Sequence, residues 1–302
     1  MAIGIGYGKI IFFGEHFVVY GCEAIGFGLN KKIEVEIVNT PSFEIVFKAD
    51  EKVKKAIKIF QKQLGIKNFS VKITNTDIPI ASGLGSGAAL SVAIIRALSN
   101  EFNLRLTNKQ VCSLTFEAEK LFHGTPSGID NTLATFGGAI IFKKRQRNNL
   151  IKHLLVGSPL HLVIINTGIK SGTKYMVDKV LNLKDKNPAV FLKIMDAEKL
   201  IVKMASNAIN KGEIEKIGAL MNANHGLLNA IGVSHIENER IVAIARENGA
   251  LGAKLVGAGG GGFCMALMED KESALKLVEI MGKQYHCFYN LIPASQPVKI
   301  HE

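Results

Sequence analysis

The sequence predicts a protein of the α+β class arranged as two domains. Three observations carry this. The chain has 302 residues, more than one hydrophobic core usually organises. Strand-like and helix-like apolar patterns mix in both halves, and two glycine-rich runs interrupt them. Hydrophobic residues make up 47% and charged residues 21%, a balance that closes packed cores and excludes wholesale disorder.

The elements follow in order. Residues 9–13 form an apolar run and 31–37 alternate around Ile33, Val35 and Ile37, so both read as strands. Val53, Ala56, Ile57, Phe60 and Leu64 recur at helical spacing and Gly65 follows, which predicts a helix over 51–64. Residues 69–73 alternate again. Beyond a glycine turn, 88–98 are apolar or small on nearly all sides, as in a helix inside a core. Thr107 with Gln110 resembles a capping box opening a helix that ends near His123 and Gly124. Strands are expected at 139–142 and 160–166, with a polar stretch at 143–152 between them. The domain boundary is placed at Ser158–Pro159, giving domains 1–158 and 159–302. In the second half, Asn187 and Pro188 are suited to start a helix over 188–210. Further helices are expected at 213–228, 236–247 and 271–284, and strands at 253–256 and 263–268.

Several function classes drop out. Lys9, Glu15 and His16 interrupt the apolar N-terminal run, so neither a signal peptide nor a membrane span is expected there. Cys22, Cys112, Cys264 and Cys287 lie far apart, which suits reduced thiols in a cytoplasmic protein better than a disulfide frame or zinc site. The 37 basic against 26 acidic residues give +11. The densest basic cluster, Lys143-Lys144-Arg145-Gln146-Arg147, has no interleaved aromatics to stack bases, so nucleic acid is not the expected partner.

Four segments carry chemistry. The turn Ser82-Gly83-Leu84-Gly85-Ser86-Gly87-Ala88-Ala89, entered through Pro79, feeds backbone amides into a helix N-terminus, a ready site for phosphates. No Gly-Lys-Ser/Thr closes it as a Walker loop would. It satisfies G-x-G-x-x-A, but no strand ending in an acidic residue follows, as a dinucleotide fold requires. A plain tight turn would need one or two small residues. The second segment runs from Gly8-Lys9 through Gly14-Glu15-His16 to Tyr20-Gly21, where a lysine and a Glu-His pair flank an apolar strand; these groups are costly to bury unless they bind something, though alone either could equally be an exposed strand end. In the third, around Glu117, Glu119, Asp130 and Asn131, carboxylates could serve a metal ion and a substrate hydroxyl. Helical angles do not choose between Glu117 and Glu119, and Asp130 with Asn131 could equally be a helix N-cap. The fourth is the run 257–262, including Gly259 and Gly260, longer than a hairpin needs and so packed against a ligand or a neighbouring loop.

Read together, these segments resemble the GHMP family of small-molecule kinases, and the likeness extends from Gly8 to about Leu267. His123-Gly124-Thr125-Pro126-Ser127-Gly128-Ile129-Asp130-Asn131, Asn224-His225-Gly226-Leu227-Leu228, Gly232-Val233-Ser234 and the segment from Lys254 to Leu267 belong to it. The resemblance implies a GHMP kinase fold: an N-terminal α/β domain like the second domain of ribosomal protein S5, and a ferredoxin-like C-terminal domain. It implies an enzyme using ATP and Mg²⁺, most similar to the members that phosphorylate the 5-hydroxyl of mevalonate. Another small-alcohol kinase (homoserine, a sugar, phosphomevalonate) or an inactive nucleotide-binding sensor are the alternatives. A homodimer is implied, with no membrane partner.

The resemblance also assigns roles. Asp130 matches the catalytic aspartate and Lys9 the lysine beside it. Glu119 aligns with the Mg²⁺ ligand, which selects it over Glu117, and Ser86 remains as a second metal-binding hydroxyl. Pro79 and the turn from Ser82 to Ala89 would hold the nucleotide. Lys9, Glu15, His16, Asp130, Thr167, Gly259 and Gly260 would meet the acceptor substrate. The chain departs from the family in two places: Tyr7 stands where a proline is usual, and Gly87 where the turn usually has a serine that contributes to the Mg²⁺ site.

Overall fold

The structure is a computed structural model that describes residues 1–78, 83–123, 126–146, 149–170 and 172–295, with the backbone alone for Phe122 and His123. The chain forms two compact units. The first combines Met1–Ile10 with Gly28–Gly138, and the second Ile11–Phe27 with the chain from Ala139 onward.

In the first unit, strand β1 (Ala2–Phe13) pairs with β2 (Glu23–Val38), and both continue into the second unit. Residues 33–38 of β2 pair antiparallel with β4 (Ser70–Thr76), with a register shift between Glu34 and Val35. The short β3 (Glu44–Ile45) adds to β4 in parallel. Four helices complete the unit: α1 (Glu51–Leu64), α2 (Ser86–Glu101), α3 (Asn108–His123) and α4 (Ile129–Phe136). Helix α1 has the expected bounds because both ends are capped: the Asp50 carboxylate accepts the Val53 N–H, and Gly65 closes the last turn with a left-handed backbone. The capping box opening α3 forms through Thr107 N–H to Gln110 Oε1 (2.9 Å) and Gln110 N–H to Thr107 Oγ1 (3.3 Å). Helix α2 is buried from Ala88 through Leu98 but for a half-exposed Arg96, so it runs through the core.

In the second unit, residues 23–27 of β2 pair antiparallel with β5 (Ala139–Lys143), and β5 with β6 (Leu150–His153). A separate four-stranded antiparallel sheet has the order β10 (Cys287–Ile292), β7 (Leu160–Asn166), β9 (Phe263–Met268), β8 (Gly252–Val256). Helices α5 (Thr173–Lys186), α6 (Pro188–Lys211), α7 (Ile214–Ala230), α8 (Ile236–Glu247) and α9 (Lys271–Met281) accompany it.

Some expectations need correcting. Asn187 precedes α6 but its side chain makes no capping bond; the helix starts on Pro188, whose fixed φ suits the first position. The helix expected over 271–284 stops at Met281, where Gly282 follows. Strand β6 forms inside the stretch read as polar, because backbone pairing to β5 needs no apolar side chains. Helix α5 buries only Val180, so its apolar pattern was too weak to announce it.

Candidate active site

In the first unit β1, α2, α3 and α4 bring one charged cluster together. Lys9 is buried near the end of the unit's β1 segment, and its ammonium lies 2.9 Å from Asp130 Oδ1 and 3.3 Å from the Gly83 carbonyl oxygen. Its own N–H donates to the Leu84 carbonyl (2.9 Å), so the backbone of β1 and the glycine turn are tied together. Gly85 is the N-cap of α2 with φ +78, and a Cβ there would meet Lys9 Cγ at 2.7 Å. Only glycine allows both that backbone and that approach. Ser86, Gly87, Ala88 and Ala89 form the first turn of α2, whose N–H groups are not all taken by the helix itself.

Asp130 is not an N-cap. Gly128 occupies that position with φ +96, and Asp130 falls in the first turn of α4. Glu119 on α3 is 1% exposed, whereas Glu117 faces solvent and pairs with Lys120. Burial, and then the negative charge of Asp130, push the Glu119 carboxyl up to about 8, opposed by Lys9. Two acidic groups share one ammonium here, and the site as built favours additional positive charge.

In the second unit the Gly14-Glu15-His16 turn is strained and heavily anchored. His16 has φ 62 and ψ −44, and Phe17 N–H donates to the Glu15 carbonyl at 2.7 Å, a γ-turn of the rare positive-φ form. Such backbone costs about 1–3 kcal/mol and persists only where the surroundings enforce it. Glu15 forms a fully buried ion pair with Lys254 on β8. His16 Nε2 lies 2.9 Å from the Ala258 carbonyl, and burial lowers its pKa, so the ring is neutral and donates from Nε2. The Gly14 N–H donates to Glu198 Oε1 at 3.0 Å, and Asn224 Nδ2 donates to Glu198 Oε2 at 2.7 Å. Burial pushes Glu198 up to about 7.

The glycine run joins β8 to β9 and packs on neighbouring loops. A Cβ on Gly259 would lie 2.1 Å from the Val233 carbonyl oxygen, and one on Gly260 2.4 Å from Met176 Cε. The Thr167 hydroxyl donates to the Gly262 carbonyl (2.9 Å) and accepts the Ile169 N–H (3.1 Å), so it braces this run.

The structure thus gathers the sequence-derived residues into two sets. Lys9, Glu119, Asp130 and the turn from Gly83 to Ala89 form one; Glu15, His16, Thr167, Gly259 and Gly260 form the other. Pro79, Ser82, Gly124 and Thr125 lie outside the described residues. The sequence reading placed Lys254 and Asn224 in family-like segments but gave them no role at the site, and it passed over Glu198. Two signals were available: Lys254 sits within an apolar strand pattern, and Glu198 falls among Phe191, Met195 and Val202 on the buried face of α6. Among the described residues no three His, Cys, Asp or Glu side chains cluster as a metal cage, and no helix is long and apolar enough to cross a membrane.

Comparison with known proteins gives this geometry its class. The GHMP kinases N terminal domain matches residues 51–138 and the GHMP kinases C terminal domain residues 205–287. Fold and site define an ATP-dependent small-molecule kinase. The mevalonate kinase of Pyrococcus furiosus is 34% identical over 299 residues, covering 87% of this chain and 88% of its own. That of Archaeoglobus fulgidus is 36% identical over 274 residues, covering 88% and 92%. The crystal structure of L. major mevalonate kinase in complex with R-mevalonate superposes with a TM-score of 0.88 at 34% identity, covering 98% of this chain and 97% of the other. The chain belongs to the GHMP kinases and, within them, to the mevalonate kinase family.

Proposed function

We propose that this enzyme transfers the γ-phosphoryl group of ATP to the 5-hydroxyl of mevalonate, giving 5-phosphomevalonate and ADP. The observation that carries the chemistry is the Lys9–Asp130 pair at 2.9 Å beside the N-terminal turn of α2. An alcohol is a weak nucleophile near neutral pH. Asp130 accepts the hydroxyl proton as the oxygen attacks the γ-phosphorus, and the bond to the β,γ-bridging oxygen breaks to release ADP. The Lys9 ammonium pairs with Asp130 and stabilises the developing alkoxide. The amides of Gly83 to Ala89, together with Pro79 and Ser82, hold the phosphates against the helix terminus.

Mg²⁺ fits the first cluster on its own chemistry: a buried Glu119 carboxylate whose charge is penalised by dryness and by Asp130, with the hard oxygen of Ser86 on α2. Bound there, it would neutralise phosphate charge; such ions use one or two carboxylates plus substrate oxygens, so a full protein cage is unnecessary. Glu15 and His16 would contact the alcohol substrate, with Thr167, Gly259 and Gly260 shaping its surroundings. The division into a nucleotide-binding domain, 1–158, and a C-terminal domain, 159–302, belongs to this reading, as do a cytoplasmic location and a homodimer.

The test is ADP release with mevalonate against a panel of small alcohols, with NMR of the product. Turnover with mevalonate and a phosphorus coupled to C5 is expected. Phosphorylation of a different hydroxyl, or tight ATP binding with no turnover on any alcohol, would overturn it.

A further inference from the structure

Glu198 is fully buried on α6, and both of its carboxylate oxygens accept hydrogen bonds. Burying a carboxylate is unfavourable, and an apolar side chain of that size would fill the space without the penalty. What Glu198 supplies is therefore its acceptors. One takes the N–H of Gly14 at 3.0 Å, the residue that opens the strained turn. The other is held by Asn224, which fixes the carboxylate from α7. Two side-chain anchors of this turn, Glu15 to Lys254 and His16 to Ala258, use the very side chains read as substrate-binding, and the Val18 N–H holds the Gly14 carbonyl at 3.0 Å. Glu198 acts only on the backbone that precedes them.

We propose that Glu198 is a positioning residue of this kinase: by accepting the Gly14 N–H it holds the Gly14–His16 turn in its strained form and so aims Glu15 and His16 at the acceptor alcohol. This rests on reading Glu15 and His16 as alcohol-binding residues. Strain of this kind is kept where the surroundings over-determine it, and Glu198 belongs to those surroundings without itself binding substrate.

Glu198→Gln and Glu198→Met separate acceptance from mere packing. Glutamine keeps an oxygen for Gly14. Its amide can also face Asn224, because Asn224 Oδ1 is buried without a hydrogen-bond partner and the Asn224 amide can turn over to accept. Methionine fills similar space with no acceptor. Expected for Glu198→Met is a KM for mevalonate raised about tenfold or more, with KM for ATP near the parent value; Glu198→Gln stays within about twofold on both. Nitrogen-15 NMR of the His16 ring gives a readout independent of turnover: its Nε2–H form is lost or shifted in Glu198→Met and kept in Glu198→Gln. Should the methionine variant not fold, Glu198→Asp carries the test, since it withdraws the carboxylate from Gly14 by one methylene and should move both readouts the same way. Unchanged KM and His16 signals in the acceptor-removing variant, or Glu198→Gln as damaging as Glu198→Met, overturn the proposal. Failure of the parent enzyme to use mevalonate would instead overturn the substrate reading, leaving the His16 signals to decide the role of Glu198.

Discussion

At Asp130 the chemistry depends on where one proton resides. Its carboxylate stands 2.9 Å from the Lys9 ammonium, which holds it in place to accept a proton from an alcohol. Asp130→Asn should lower kcat by about 10²- to 10⁴-fold, the usual range for a lost general base, with ATP affinity retained. Steady-state kinetics beside nucleotide titration checks this; equal loss of ATP binding would show a structural role instead. Gly87 lies in the first turn of α2, where the family resemblance implies a serine. Gly87→Ser should lower the Mg²⁺ concentration for half-maximal activity or raise turnover. No change in either would mean the site does not use a hydroxyl there. Both residues were legible in the sequence because their motifs are local. Glu198 was passed over although it shares the helical spacing of Phe191, Met195 and Val202, because an acidic residue beside such a stripe usually reads as the edge of a solvated face.

At the scale of elements, the glycine run between β8 and β9 illustrates how a loop is shaped by what lies against it. Gly259 has φ +71, and its missing Cβ leaves room for the Val233 carbonyl at 2.1 Å. Gly259→Ala should destabilise the protein by roughly 1–3 kcal/mol through backbone strain and the displaced loop. Urea denaturation reads this as a lower midpoint at constant slope, and an unshifted midpoint would show that the Val233 loop yields without cost. The sequence reading left open whether a ligand or a loop covers this run, and described contacts are with loops and with Met176. Helices α1 and α8 were legible to the residue. Each has a side-chain cap at its start, Asp50 or His235, and a strong or regular apolar stripe. Strand β10 was not legible: four of its six residues are half-buried or exposed, so its side chains carry little alternation and pairing to β7 defines it.

The whole molecule carries a pH signature from its buried acids. Glu198 is raised to about 7 in the folded state from an ordinary value of 4.5. A raised carboxyl binds its proton more tightly when folded, so its stabilising contribution is full below about 4.5 and is lost as pH rises through about 7. Glu198→Gln is neutral throughout and escapes that loss. Its melting temperature relative to the parent should rise between about pH 4.5 and 7 and then level off; a difference independent of pH would show that Glu198 does not titrate in that window. The two compact units, Met1–Ile10 with Gly28–Gly138 and Ile11–Phe27 with the chain from Ala139 onward, interleave along the sequence. A linear reading cannot anticipate this, because β1 and β2 each contribute to both.

The sequence by itself determined the α+β class and most helices and strands, and named the glycine turn, Lys9, Glu117 or Glu119, and Asp130 as site candidates. Those features depend on neighbours within a few residues: periodicity, capping, and glycines where a backbone must bend. Only the tertiary structure decided that Glu119 is buried where Glu117 is not, that Asp130 sits inside α4 behind a Gly128 cap, and that Lys254 and Glu198 anchor the strained turn at His16. The reason is physical. Burying a charge is unfavourable unless a partner meets it, and partners 239 and 184 residues away along the chain are set by packing, which no local pattern records.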